Sequence, residues 1–218
     1  MSEPTTQAAV TAYWSAHAPK FDGVASHVAQ GGIWRDVLAA AFGHDGPRDV
    51  VDLGTGTGAC ALIAASLGHR VRAYDGSEGM LAVARAAAQA AGLAVAFETV
   101  VIDEASIEPA CADIVTLRNV LWTLERPMDA LLLAHRALRP GGMVLVSDGL
   151  WSVAPQFRST YEPDLAARLP LHGGLTEPDA RRMLAEAGFS EARSWQHLFA
   201  TPPYPGGVPM FVLTARRG

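Results

Sequence analysis

Lysine is almost missing from this sequence: Lys20 is the only one, so arginine supplies almost all of the 17 basic side chains, and no stretch gathers them into a cluster. With a formal net charge of −5, the chain lacks the basic footprint that holds a phosphate backbone or an anionic membrane surface, so neither nucleic acid nor membrane is expected as a partner. Cysteine is nearly as rare. Cys60 and Cys111 fall in what read as a helix start and the approach to a strand, which excludes a disulfide framework and fits a reducing, cytoplasmic setting. The longest apolar runs fall far short of the roughly 18 residues of a membrane span. The first ten residues are polar and lack the apolar stretch of a secretory leader. No group of His, Cys and Asp has metal-ligand spacing, so no metal is expected.

What is present is a large interior. Half of the 218 residues are apolar and 18% are charged, enough for one well-buried domain. From residue 48 onward, short strand-like runs alternate with helical ones: Arg48 to Leu53, Arg70 to Asp75, Val95 to Val101, Asp113 to Leu117 and Met143 to Asp148 read as strands. Between them, Ala59 to Leu67, the segment from a Ser77 cap to about Ala91, and Pro127 to Leu138 read as helices. Strands joined by helices imply right-handed crossovers and a mostly parallel, doubly wound α/β sheet.

The organisation expected for the single domain is a helical cover over 1–45, a ligand-binding core over 48–148, a lid or substrate segment over 149–175, and a C-terminal helix with a closing antiparallel hairpin over 176–218. The lid carries prolines and a Gly-Gly pair among aromatics and does not read as a strand. The hairpin is expected from Glu191 to Phe199 and Pro209 to Arg216.

The strongest local signal is Asp52-Leu53-Gly54-Thr55-Gly56-Thr57-Gly58 at the end of the first strand. Glycines there let a ligand approach the backbone, and Asp52 can accept from its ammonium or hydroxyl groups. Asp75, about twenty residues on at the end of the second strand, stands where an acid holds ribose hydroxyls. Gly54, Gly56 and Ala59 also satisfy the looser Gly-x-Gly-x-x-Gly/Ala turn, so the turn and the acid fit NAD as well as another nucleoside.

The turn with its leading acid resembles the first motif of class I S-adenosylmethionine (SAM)-dependent methyltransferases. Leu138-Arg139-Pro140-Gly141-Gly142 resembles the turn before that family's fifth strand. Ala112-Asp113-Ile114-Val115 with Arg118-Asn119-Val120-Leu121-Trp122 resembles its fourth strand and the loop beneath the substrate. NAD enzymes do not normally carry the Leu-Arg-Pro-Gly-Gly block. The resemblance spans 48–148 and implies a Rossmann-like seven-stranded sheet with an antiparallel last strand. By position, Gly54, Thr55, Gly56 and Gly58 would pass under the methionine part of SAM, Asp75 and Gly76 would meet the ribose, and Asp103 or Glu104 would lie near the adenine amino group. Met80 would pack against adenine, or serve as an ordinary core methionine. Tyr13-Trp14 and Phe21-Asp22 resemble the leading helix of the ubiquinone-biosynthesis type, with Tyr13 expected to touch the cofactor carboxylate.

Arg118 is expected at the cofactor, and Asn119 at the acceptor. The acceptor wall is expected from Trp122, Trp151, Phe157 and Tyr161, an aromatic and mostly neutral surface suited to a small molecule. Methyl transfer from a sulfonium is an in-line displacement in which a base is optional. The candidate bases are His172, beside Gly173-Gly174 in the lid, and His17 and His27 on the cover. The sequence lacks the Asn/Asp-Pro-Pro-Tyr block of methyltransferases that act on adenine or glutamine nitrogens. The expectation is therefore a SAM-dependent methyltransferase yielding S-adenosylhomocysteine, acting on an O, N or C atom of a small-molecule acceptor, as a monomer or homodimer. A SAM-binding protein that transfers no methyl group, and an NAD-dependent oxidoreductase, are the alternatives.

Overall fold

The computed structural model describes residues 5–21, 31–43, 45–102, 105–153, 161–201, 203–204 and 206–218. Two helices lead the chain, α1 (Thr6–Phe21) and α2 (Gly31–Phe42). The alternating core then follows as β1 (Asp49–Leu53), α3 (Ala59–Ser66), β2 (Arg70–Asp75), α4 (Glu78–Ala90), β3 (Val95–Thr99), β4 (Ala112–Arg118), α5 (Pro127–Ala137) and β5 (Leu138–Gly149). After β5 come one short helix, α6 (Pro163–Ala166), then α7 (Glu177–Glu186) and the strands β6 (Phe189–Ser194) and β7 (Met210–Arg217).

The seven strands form one sheet in the order β3-β2-β1-β4-β5-β7-β6. β1 pairs in parallel with β2 on one side and β4 on the other, so the chain reverses its direction of travel across the sheet between these two neighbours. At such a switch point the two flanking loops diverge and leave a crevice above the strand ends. β7 is antiparallel to both β5 and β6 and is the one antiparallel strand. β1 and β4 are apolar on both faces, as a central parallel strand covered by helices must be. Val51, Leu53, Val115 and Leu117 pack on the layer of α5 and α7, whereas Val50 and Ile114 pack on Trp34, Val37, Leu38 and Phe42 of α2.

Local signals account for most boundaries. Ser77 caps α4, its hydroxyl accepting from the Met80 amide at 3.1 Å, and Thr176 caps α7 ahead of Pro178. In three places the elements depart from the expected boundaries by more than one residue. Leu138 leaves the helix and pairs with Ala112 as the first residue of β5, and Arg139 to Gly142 bulge out before the pairing resumes at Ile114 and Met143. The Leu-Arg-Pro-Gly-Gly turn therefore lies inside the strand, stapled by Arg139 to Asp113 at 2.7 Å and Asp49 at 3.0 Å. β3 stops at Thr99, two residues before the expected Val101. β6 starts at Phe189 and ends at Ser194, because Trp195 turns into the core, donates to Thr214 Oγ1 at 3.0 Å, and leads into a single 3-10 turn, Gln196–Leu198. The hairpin itself forms as expected.

Candidate functional site

The cleft lies where the topology places it, above the C-terminal ends of β1, β2 and β4, roofed by α1. It is partly open to solvent, with a cavity volume of about 120 Å³. Its floor is the glycine turn. The amides of Gly54 and Thr55 both donate to the Tyr74 carbonyl, at 2.8 and 3.0 Å, which ties the end of β1 to β2. Gly54 takes φ +67, and a Cβ there would lie 2.3 Å from Val120 Cγ2, so only glycine fits both the backbone and the space. Gly56 donates its amide to Asp75 Oδ2 at 2.8 Å, and the Ser77 amide takes Oδ1 at 2.8 Å. Two of about four lone-pair positions on the Asp75 carboxylate are thereby occupied, leaving acceptor capacity for ligand hydroxyls. Burial pushes the Asp75 pKa up, against the pull of these two amides.

Of the residues read from the sequence as cofactor contacts, Gly54, Thr55, Gly56, Asp75, Gly76, Met80 and Arg118 line this cleft, and so does Asn119 from the acceptor set. Asp52 does not. It is buried beneath the turn, accepting from Thr55 Oγ1 at 2.7 Å and Thr116 Oγ1 at 2.5 Å, and its register partner Thr116 puts both on one face of the sheet. Desolvation raises its pKa to about 6, with the two hydroxyls opposing. Its place is to brace the turn, not to meet a ligand. Gly58 is also below the surface, in a left-handed conformation at the start of α3, packed against Ala84 and Leu62. Asp103, Glu104, Phe157 and His27 lie outside the described residues.

The roof corrects the sequence reading by one residue. Tyr13 does not line the cleft; it stacks on His17 with ring centroids 4.0 Å apart and meets Tyr161 edge-on at 4.9 Å. Its neighbour Trp14 lines the cleft, together with Gln7, Val10, Thr11 and Phe21. Successive residues on a helix point about 100° apart, and the spacing 7, 10, 11, 14, 21 is one helical stripe. α1 comes down on α4 through two glycines: a Cβ at Gly76 would lie 2.9 Å from Thr11 Oγ1, and one at Gly79 would lie 2.8 Å from the Ser15 carbonyl oxygen. A hydrogen bond between the Ser15 and Ser77 hydroxyls, 2.8 Å, closes the same seam.

Trp122, Trp151 and Tyr161 are brought together, but behind the cleft rather than on its surface. They form a buried cluster with Val10, Tyr204 and Val208. Trp14 joins this cluster to the cleft, its indole donating to the Tyr161 hydroxyl at 2.7 Å. Asn119, held in a left-handed backbone at φ 55, exchanges hydrogen bonds with the Tyr204 hydroxyl at 2.8 and 3.1 Å. Its carbonyl accepts from Trp122 Nε1 at 2.9 Å. A non-glycine residue in this conformation, at the end of a strand and facing a cleft, is strain of the kind that functional sites store.

The two candidate bases part company. His17 is exposed, with Nδ1 at 2.7 Å from the Tyr13 carbonyl oxygen. His172 is half-buried beside Tyr161, with its Nε2 enclosed and unpartnered. Neither lines the cleft. The residues that sequence reasoning missed are Gln7, Thr11, Ser77, Val101, Ile102, Thr123 and Leu124 among the lining, and Asp148 below it. Asp148 is fully buried and accepts from the Gly149 amide at 2.9 Å and from Trp151 Nε1 at 2.8 Å. Burial raises its pKa to about 7.

Residues 51–146 match the family model described as a methyltransferase domain. The ubiquinone biosynthesis O-methyltransferase of Pseudomonas aeruginosa (strain UCBPP-PA14) is 31% identical over 115 residues, which is 52% of this chain and 48% of that protein. The chain thus matches about half the length of the curated relatives it resembles. Among solved structures, the [4+2]-cyclase SpnF superposes with a TM-score of 0.74 at 20% identity, covering 100% of this chain and 97% of that one. The magnesium protoporphyrin IX methyltransferase of Synechocystis PCC 6803, solved with bound S-adenosylhomocysteine, gives 0.72 at 18% identity, covering 98% and 100%. At such identities the superpositions establish the fold, and over the glycine turn and strands β1 to β5 the chain is similar to the methyltransferase domain family.

Proposed function

We propose that this protein is a SAM-dependent methyltransferase that alkylates an O, N or C atom of a small-molecule acceptor, in the cytoplasm and as a monomer or homodimer. The observation that carries the reading is the fit of the cleft to an adenosyl ligand. Gly54, Gly56 and Gly76 leave backbone open where side chains would fill it, Asp75 keeps free acceptor capacity for ribose hydroxyls, and Met80, Val101 and Ile102 give an apolar slot for a purine ring. SAM, when held there, would supply an electrophilic methyl carbon, which an acceptor lone pair attacks in line as the S–CH3 bond breaks and S-adenosylhomocysteine leaves.

The chain's own residues bind, orient and dry the site. Gly54, Thr55 and Gly56 hold the amino-acid end of the ligand, Asp75 its ribose, and Trp14 and Phe21 close the roof against water, which strengthens every polar contact beneath. Asn119, fixed by Tyr204, faces the acceptor side. Neither His172 nor His17 lines the cleft, so the reading assigns no side-chain base and rests on in-line alignment, for which a base is optional. The aromatic cluster of Trp122, Trp151 and Tyr161 backs the acceptor wall and suits an aromatic or amphipathic molecule.

The likeness in fold to a [4+2]-cyclase favours weighing one other reading, in which the same cofactor site serves a reaction without methyl transfer. A screen with methyl-labelled SAM against small phenols, amines and activated carbon acids separates the two. Label transferred to a small acceptor is the expected result. Adenosyl binding without transfer to any acceptor class would favour the second reading, and transfer to a macromolecule alone would sink the small-molecule assignment.

A further inference from the structure

The connection between β6 and β7 reads from the sequence as a Pro/Gly-rich link, Thr201 to Gly207, and no functional residue is expected in it. Tyr204 on this link is nevertheless buried, its ring edge-on to Trp151 with 5.1 Å between centroids. Its hydroxyl reaches the end of β4, where it meets two successive residues that line the cleft, Arg118 and Asn119. It is hydrogen-bonded to the Arg118 guanidinium, and it lies 2.8 Å from Asn119 Nδ2 and 3.1 Å from Oδ1. A guanidinium and an amide N–H only donate, so the phenol oxygen accepts from both and its one hydrogen goes to Oδ1. The hydroxyl is thereby saturated, and bonds arranged in such a chain strengthen one another.

The backbone of Asn119 is held by other groups. Its amide donates to the Ser147 carbonyl at 2.8 Å and its carbonyl accepts from Trp122 Nε1 at 2.9 Å. Asparagine also tolerates the left-handed conformation, here at φ 55, better than most residues. What Tyr204 adds therefore acts on the side chain. An asparagine amide has two N–H donors and two acceptor lone pairs, of which Tyr204 engages one of each and leaves one of each for a second partner. We infer that Tyr204 is a positioning residue for the acceptor: it sets the Asn119 amide in one orientation at the cleft, and so makes the β6–β7 link part of acceptor selection. This rests on the methyltransferase reading above and extends it beyond the cofactor floor. Tyr204 does not itself line the cleft. It acts through Asn119, and Arg118 on its other side keeps the hydroxyl from turning away.

The test compares the wild type with Tyr204→Phe, which keeps the ring against Trp151 and removes only the oxygen. The first readout is the side-chain amide of Asn119 in nitrogen-15 NMR spectra, assigned by its disappearance in Asn119→Ala. In Tyr204→Phe its two hydrogens are expected to exchange with solvent about tenfold faster, the worth of one hydrogen bond. Calorimetric affinity for S-adenosylhomocysteine is expected to stay within about twofold, because the floor is untouched. The second readout is label transfer from methyl-labelled SAM to the best acceptor among small phenols, amines and carbon acids. There kcat/KM is expected to fall about tenfold in Tyr204→Phe and at least as far in Asn119→Ala, with the double variant no lower than Asn119→Ala alone. Amide signals unmoved in Tyr204→Phe would overturn the assignment. So would losses that multiply in the double variant, since Tyr204 would then act apart from Asn119, or a loss of S-adenosylhomocysteine affinity as large as the loss of transfer, which would mean a structural role only. A wild type that transfers label to no acceptor would instead overturn the methyltransferase reading, and the amide signals, which need no acceptor, would still decide the hold of Tyr204 on Asn119.

Discussion

The floor and the roof of the cleft are built on different principles. The floor, from Asp52 to Gly58 with Asp75, is contiguous in sequence and held by backbone amides: Gly54 and Thr55 on the Tyr74 carbonyl, Gly56 and Ser77 on the Asp75 carboxylate. The roof is α1 laid across α4, and it depends on side chains from distant places: Gly76 and Gly79 make room, Ser15 meets Ser77, and Trp14 reaches Tyr161 across 147 residues of sequence. A floor fixed by its own backbone can keep one shape for one cofactor. A roof assembled from long-range contacts can vary with the acceptor while the floor stays unchanged.

The sharpest way to break this contrast is Gly54→Ala. The new methyl group would overlap Val120 and force a left-handed backbone on alanine, so a loss of about 3 kcal/mol in unfolding free energy is expected. Chemical denaturation measures it, and a loss below about 0.5 kcal/mol would mean the floor is soft. Next in size is Gly79→Ala. In an ordinary helix this change stabilises by about 0.5–1 kcal/mol. Here the Cβ meets the Ser15 backbone, so the expected sign is reversed, with a loss of about 1–2 kcal/mol and a red shift of tryptophan emission as Trp14 is uncovered. Stabilisation would show that α1 does not dock through this seam.

The smallest effect separates the two buried acids, Asp52 under the floor and Asp148 behind the acceptor wall. Both have folded pKa values raised by burial, to about 6 and about 7. Between the unfolded value near 4 and the folded value, the native state binds the extra proton. Stability therefore falls as pH rises through that window, by up to about 1.4 kcal/mol per pH unit for each acid. Asp148→Asn is expected to remove its share of the slope, most visibly between pH 6 and 7, where only Asp148 still titrates. An unchanged slope in denaturation midpoints across pH 5 to 8 would contradict this.

The same contrast explains what could be read from the sequence. The order of strands and helices, the glycine turn, the Asp75 carboxylate and the Ser77 cap were legible, because each rests on local periodicity or on residues within one turn of each other. The exchange of Tyr13 for Trp14 was not read, because it depends on the rotation of α1 about its axis, which the contacts of Thr11 and Ser15 with Gly76 and Gly79 set. Leu138 was read as helical because its pairing with Ala112 across the sheet overrides local propensity. Asp52 was read as a ligand contact. Its position at a strand end is right, but its side chain turns to Thr116, a partner 64 residues away. Arg118 is read at the cofactor and does line the cleft, but its stacking on Trp34 is a long-range contact that no local pattern announces.

The central claim is that the floor holds an adenosyl ligand through Asp75. The most direct measurement is calorimetric titration of the wild type and Asp75→Ala with SAM, S-adenosylhomocysteine and NAD. Removing the carboxylate deletes two hydrogen bonds to ribose hydroxyls, so a loss of about a hundredfold is expected for both adenosyl ligands, with no binding of NAD to either protein. Binding of NAD, or adenosyl affinities unchanged in the variant, would contradict the account.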